Sequence, residues 1–185
     1  MSPSEPRRHV AALGGGLIGR SWTALFLAAG RPVAVFDPDP GTEDRVREAV
    51  ASAWPVLQRL GLTSDDSPRA ELRPAPTPAK PSMVRPSSRR ALPERIGLKH
   101  ELYAAIEDVV AEDAVVASSA SGLTLTELQG GWADPSRLVL GHPFNPPHLI
   151  PLVEVMGNER TAPGASTRPA ASTSREGDLE VRREC

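Results

Sequence analysis

A glycine-rich run near the start of the chain has the spacing of a phosphate-binding turn. Residues 14 to 19 are G-G-G-L-I-G, which satisfies the pattern G-x-G-x-x-G. In such a turn the first glycine makes the bend from strand to helix, the second lets a pyrophosphate approach the backbone, and the third lets the helix pack closely on the strand. The pyrophosphate then meets free N–H groups and the positive end of the helix dipole. The spacing therefore predicts a nucleotide cofactor bound by Gly14, Gly16, Leu17, Ile18 and Gly19.

A carboxylate follows the glycine run at a useful distance. Asp37 ends the next apolar run, Val33-Ala34-Val35-Phe36, and a ribose-binding acid is expected about 20 residues after the first glycine. Its charge would repel a 2′-phosphate, so Asp37 favours NAD over NADP. The sequence shows no arginine beside Asp37 that could hold such a phosphate. The alternative is a glycine-rich turn that binds no ligand.

A histidine and a glutamate in the second half of the chain could transfer a proton. His142 follows an apolar strand and precedes a proline-stiffened loop, and Glu154 lies at the edge of the next apolar strand. A hydroxyl cannot lose a hydride unless its proton also leaves, and a histidine in a fixed loop suits that task near neutral pH. A strand–turn–strand return would bring Glu154 beside the ring to orient it and to stabilise its charged form. On spacing alone, a structural role is the better interpretation for both residues.

The elements that would position these residues alternate between strands and helices. Apolar runs predict strands at 9–13 and 33–36, each followed by a segment with helical spacing, and Pro55 should kink the second helix or end it early. Further helices are predicted near 98–109 and 124–128, and further strands near 114–117, 137–140 and 152–155. This order predicts an α/β fold with a doubly wound parallel sheet, of the Rossmann type.

Two stretches interrupt this pattern. Many of the 20 prolines fall between residues 64 and 92, among arginines and serines, so we predict an irregular, disorder-prone segment that cannot add a strand to the sheet. From residue 157 to 185 the apolar periodicity ends, which predicts a disordered tail. The predicted domain organisation is a dinucleotide-binding domain over 8–156 followed by that tail.

Composition excludes several other classes of protein. A net charge of −2 argues against nucleic-acid binding through bulk positive charge, and a single cysteine argues against a disulfide scaffold. The four histidines lack the spacing of a zinc site, so no metal is expected. No apolar run is long enough to cross a membrane, and the polar N-terminus lacks the apolar core of a signal peptide, so we expect a cytoplasmic protein.

Two longer motifs resemble a known family. The run G-G-G-L-I-G-R-S-W and the run G-H-P-F-N-P-P-H-L-I-P-L-V-E-V are similar to those of the 3-hydroxyacyl-CoA dehydrogenase family. The second run is closest to the branch with L-gulonate 3-dehydrogenase (lambda-crystallin) and L-carnitine dehydrogenase, whose substrates are small hydroxy acids. The resemblance implies that His142 and Glu154 form the catalytic pair and that Ser121 contacts the substrate hydroxyl. It also implies that Glu94 and Lys99, in a P-E-x-x-x-x-K segment, contact the cofactor.

The resemblance also implies what is missing. Family members continue into a helical second domain that supplies the homodimer interface and much of the substrate pocket, and we expect this chain to lack it. They also have a helix and a strand where this chain has residues 72–90. Reading in a shifted frame over 72–90 and 162–185, or a genuine insertion and natural tail, would each explain the departure. Two functions stay open: a dehydrogenase of a small 3-hydroxy acid or 3-hydroxyacyl-CoA, and an NAD-binding remnant without turnover.

Overall fold

The computed structural model describes residues 10–76, 95–111 and 114–166, and the backbone of two short strands at 85–86 and 181–182. The elements in chain order are β1 (Val10–Leu13), α1 (Leu17–Ala28), β2 (Val33–Phe36), α2 (Thr42–Arg59), β3 (Leu72–Pro74), β4 (Arg85–Pro86), α3 (Ile96–Glu107), β5 (Val116–Ser118), α4 (Leu125–Gln129), a 3₁₀ turn (Pro135–Arg137), β6 (Leu138–Pro143), β7 (Val153–Met156) and β8 (Val181–Arg182). No described helix is both long and apolar enough to cross a bilayer.

The strands form two four-stranded sheets. The first has the order β3-β2-β1-β4 and all its pairs are parallel, with Val10 opposite Val33 and Leu13 opposite Phe36. The second has the order β5-β6-β7-β8, in which β5 and β6 are parallel and β7 runs antiparallel to β6. Strand β4 lies next to β5, so the sheets meet at that edge.

Both sheets are covered by helices on both faces. In β1, Val10 and Ala12 belong to one apolar cluster with α1 and α2, whereas Ala11 and Leu13 belong to a second cluster with α3 and α4. Strand β6 is divided in the same way, because Val139 joins the first cluster and its neighbours join the second. This alternation follows from the period of two along a strand. The layers confirm the predicted doubly wound α/β fold.

The helix α2 shows how burial overrides a local signal. It continues through Pro55 to its end at Arg59, so it does not end early as the proline suggested. Pro55 itself is exposed, whereas Trp54 and Leu57 are buried in the first cluster. Packing of that apolar face offsets the backbone hydrogen bond that the proline removes.

The prediction that residues 64–92 contribute no strand is wrong. Strand β3 pairs with β2 and strand β4 pairs with β1, both in parallel. β3 is an edge strand, where a proline is tolerated because one side of the strand needs no partner. The backbone N–H groups of Val33 and Ala75 complete the ladder, donating to Glu71 and Val35 respectively. The predicted disorder of 77–84 and 87–92 concerns positions outside the described residues.

The prediction of a disordered tail from residue 157 is also wrong at its start. The side-chain Nδ2 of Asn158 donates to Oε1 of buried Gln129 at 2.8 Å, and the backbone N–H of Ala162 donates to the carbonyl of Ser136 at 2.8 Å. Ala165 is buried in the first apolar cluster. Polar anchoring and burial therefore hold 157–166 on the domain, and β8 adds a parallel neighbour to β7. The rest of the predicted tail lies outside the described residues.

Candidate functional site

The glycine turn between β1 and α1 has a shape that excludes side chains. Gly14 has a φ of 104°, a conformation that favours glycine, and its N–H donates to the carbonyl of Phe36 at 2.7 Å. A Cβ added to Gly15 would overlap Cγ2 of Thr42 on α2. The turn is therefore tight enough that its backbone, rather than a side chain, faces the space in front of α1.

The start of α1 is available to an anion. Gly16 precedes the first helical residue without any side-chain cap, and the first turn of the helix holds no acid. The N–H groups there lack helical partners and carry the positive end of the helix dipole. Ile18 and Gly19 are buried against the core, whereas Leu17 is 49% exposed. These features fit a pyrophosphate, and the roles of the individual residues of the glycine run stay predictions.

Asp37 is held at the end of β2, next to the turn. Its Oδ2 accepts a hydrogen bond from the N–H of Gly15 at 2.8 Å, and its Oδ1 accepts one from the N–H of Asp39 at 2.9 Å. A carboxylate has about four acceptor sites, so sites remain for ribose hydroxyls. A cavity of about 140 Å³ lies beside Asp37, between the start of α2 and strand β3.

The charges around this cavity favour a cofactor without a 2′-phosphate. Asp37, Asp39 and Glu43 line it, together with one cation, Arg73, which is paired with Glu71. Sequence reasoning missed Arg73, because only the pairing of β3 with β2 places it there.

His142 and Glu154 are brought together across two strands. They occupy directly opposite positions in the antiparallel pair β6–β7. His142 is exposed and Glu154 is partly exposed, while Val153 and Val155 on the other face of β7 are buried. The strand–turn–strand return expected from the sequence therefore exists. Opposite residues in an antiparallel pair lie on one face within side-chain reach, so the pair can share a proton-transfer task.

Ser121 leaves the sheet near that pair. It follows β5, which is parallel to β6 with Ser118 opposite Leu140. Since the carboxyl ends of parallel neighbours meet at one edge, Ser121 and His142 emerge from the same end of the sheet. Gly141 assists the close approach of β5 and β6, because a Cβ there would lie 3.1 Å from that of Ala117.

The resemblance predicts two further cofactor contacts, from Glu94 and Lys99. Lys99 lies in α3, on the face of the sheet opposite to α1. Glu94 lies outside the described residues. Their contacts with a cofactor remain predictions.

A contact that sequence reasoning missed links the two halves of the site. The Oγ of Ser21 on α1 lies 2.6 Å from Nδ1 of His148 and accepts a hydrogen bond from the N–H of His148 at 3.1 Å. Burial lowers the pKa of His148 below its ordinary value. No sequence signal pairs residues so far apart.

A glycine turn, a ribose-type acid and a cavity beside it define a dinucleotide-binding domain of the doubly wound class. The chain belongs to the 3-hydroxyacyl-CoA dehydrogenase family, because the model of its NAD binding domain matches residues 9–178. This match confirms the resemblance seen in the sequence and the predicted cofactor, NAD.

Individual relatives agree with the family assignment. An L-carnitine dehydrogenase of Streptomyces coelicolor is 46% identical over 165 residues, which are 89% of this chain and 52% of that protein. Among solved structures, 5-formyl-3-hydroxy-2-methylpyridine 4-carboxylic acid 5-dehydrogenase, an NAD⁺-dependent dismutase, has a TM-score of 0.75 and 30% identity, covering 88% of this chain and 52% of that chain. FadB2 of M. tuberculosis has a TM-score of 0.79 and 23% identity, covering 97% and 64%, and supports the fold alone. The chain spans about half the length of the curated relatives it matches.

Proposed function

We propose that this chain forms the cofactor-binding half of a dehydrogenase that oxidises a secondary hydroxyl on a small 3-hydroxy acid or a 3-hydroxyacyl-CoA. The observation that supports this most directly is the in-register opposition of His142 and Glu154 at the same edge of the sheet as Ser121. The glycine turn and Asp37 supply the matching cofactor site. Bound NAD would supply the acceptor for the hydride.

The roles proposed for the site residues follow from the proton that must leave the hydroxyl. His142 accepts that proton as general base, and its exposure leaves it accessible to a substrate. Glu154, on the neighbouring strand, orients the imidazole and stabilises the imidazolium that forms. Ser121 holds the substrate hydroxyl by a hydrogen bond. Glu94 and Lys99 are proposed to contact the cofactor, as the family resemblance implies.

L-carnitine is the first substrate to test, because relatives at 46% and 45% identity are named L-carnitine dehydrogenases. 3-Hydroxybutyryl-CoA is the second, in line with the family description. We further propose that the protein works in the cytoplasm.

A second candidate function is NAD binding without turnover. Phe144, Leu149 and Ile150, in the loop between β6 and β7, are each more than 40% exposed. A site open to water on this side positions a substrate less well and stabilises developing charge less. We therefore expect the chain by itself to bind NADH and to turn over little or no L-carnitine.

An NADH fluorescence titration of the purified chain tests the proposal. Saturable binding that Asp37→Ala weakens about 10-fold or more is expected, because a charge-assisted hydrogen bond to ribose is lost. Asp44→Ala is the matched control, since it removes an exposed carboxylate that lies outside the cavity lining. NADH formation with L-carnitine would then favour the dehydrogenase over the binding remnant. Absence of NADH binding would overturn both.

A further inference from the structure

The loop between β6 and β7 connects the two proposed proton-transfer residues. It covers residues 144–152, directly after the strand that carries His142 and directly before the strand that carries Glu154. Its internal hydrogen bonds are local: the N–H of Phe144 donates to Leu152, and the N–H of Ile150 donates to Pro146. These bonds shape the loop but do not fix it on the domain.

Two hydrogen bonds attach this loop to α1. Both run between His148 and Ser21, one through the imidazole Nδ1 at 2.6 Å and one through the backbone N–H at 3.1 Å. Within the described part of the chain, they are the only hydrogen bonds from the loop to another element. We call the Ser21–His148 pair the clasp.

The clasp can form with either neutral tautomer of the histidine, because a serine hydroxyl has one donor and two acceptor positions. Since the Oγ of Ser21 accepts from the backbone N–H of His148, its own hydrogen is free to be donated to Nδ1. In that arrangement the neutral ring is protonated at Nε2. If Nδ1 carries the proton instead, the Ser21 hydroxyl accepts from it. The Ser21 side of the contact is protected from water, because Ser21 is only 5% exposed.

We infer that the clasp is a positioning device that fixes the loop between the strands of His142 and Glu154 relative to the helix whose start forms the nucleotide turn. This inference rests on the proposed function. In the proposed reaction, the hydride leaves the carbon that bears the hydroxyl, and the proton leaves the hydroxyl oxygen. The cofactor turn and His142 must therefore keep a fixed separation. α1 begins at the glycine turn and the loop begins at the end of β6, so the clasp joins the two supports directly. Neither Ser21 nor His148 needs to touch cofactor or substrate.

The test separates positioning from binding. Nuclear magnetic resonance of ¹⁵N-histidine-labelled chain follows the His142 ring while NADH is added, and the same titration gives the NADH affinity. In the unmodified chain, NADH is expected to shift the His142 signals. Ser21→Ala is expected to leave NADH affinity within about twofold, because the cofactor contacts are intact, and to abolish most of the His142 shift. It should also speed amide exchange at His148 by about threefold or more, through loss of one hydrogen bond.

Matched variants keep the outcome decisive if a substitution loosens the fold. Thr23→Val removes another buried hydroxyl from α1, which among the described residues bonds to the carbonyl of Gly19 in the same helix. This variant should leave the His142 response intact. His148→Asn retains an acceptor near the position of Nδ1 and should restore the response that His148→Leu loses. NADH binding with an unchanged His142 response in Ser21→Ala, or with no response in the unmodified chain, would overturn the clasp alone. Failure of the unmodified chain to bind NADH would overturn the proposed function and the clasp with it.

Discussion

His142 and Glu154 face each other across the antiparallel strands β6 and β7, although the loop 144–152 separates them along the chain. Because His142 is exposed and Glu154 is partly exposed, they contribute little to the folded state. Their proposed contribution is to catalysis, so measurements of activity and of stability can separate the two effects.

Substitution of either residue should affect turnover without affecting stability. For His142→Ala and Glu154→Gln we expect thermal midpoints close to that of the unmodified chain, because surface substitutions change stability by about 0.5 kcal/mol or less. Any L-carnitine-dependent NADH formation should fall about 100-fold or more, the usual contribution of a general base. Glu159→Gln, an exposed neighbour beyond β7, is the control and should retain that activity. Measurable activity of the unmodified chain that His142→Ala and Glu154→Gln both retain would remove the pair from the mechanism.

Gly15→Ala should unfold or distort the nucleotide turn. The added methyl group would overlap Cγ2 of Thr42, and such overpacking costs about 1–3 kcal/mol. Urea unfolding is expected to show this loss, and NADH binding should weaken with it. Thr42→Ser removes the overlapping methyl and keeps the hydroxyl that accepts from Arg45, so the double variant should recover much of the stability. A double variant as unstable as Gly15→Ala would contradict the steric explanation.

The segment after β7 should be part of the folded unit. Asn158→Ala leaves Oε1 of buried Gln129 without its donor, and an unsatisfied buried acceptor costs about 1–3 kcal/mol. Chemical denaturation should therefore show a lower free energy of unfolding. Arg160→Ala, at an exposed position in the same turn, should leave it unchanged. If Asn158→Ala also left the free energy of unfolding unchanged, the hydrogen bonds that hold 157–166 would not stabilise the domain.

The stability of the domain should fall as the pH drops below about 6.5. Burial lowers the pKa of His148 in the folded chain, so below the ordinary value the unfolded chain binds the proton more readily. The stability that neutral His148 contributes is fully present above its pKa in the unfolded chain, and it is lost as the pH falls through its pKa in the folded chain. Hydrogen bonds from Thr124 and Ser136 lower the pKa values of the Glu127 and Asp134 carboxyl groups. Their titration therefore affects stability only in a more acidic range.

Urea unfolding of the unmodified chain and of His148→Asn, from about pH 7 to about pH 5, isolates this contribution. The unmodified chain should lose more stability over that interval than the variant, because asparagine does not titrate. Parallel pH curves for the two proteins would show that the lowered pKa of His148 has no measurable effect on folding.

Local sequence patterns predict most of the fold. The strands and helices up to residue 59 follow from apolar periodicity, and the glycine turn follows from positions that need glycine. The strand at 72–74 is not predicted because Pro74 argues against a strand, while its place at the sheet edge makes that proline tolerable. Residues 157–166 were missed because their polar composition suggests disorder, whereas hydrogen bonds to Gln129 and Leu138 hold them in place.

By itself, the sequence determined the nucleotide turn, its acid Asp37 and the pattern that marks the family, because each depends on residues close together along the chain. Only the tertiary structure decided that Arg73 shares the cavity with Asp37 and that Ser21 joins His148, 127 positions away. The physical reason is that such contacts are selected by the packing of whole elements against one another. No local preference for backbone conformation or burial identifies them in advance.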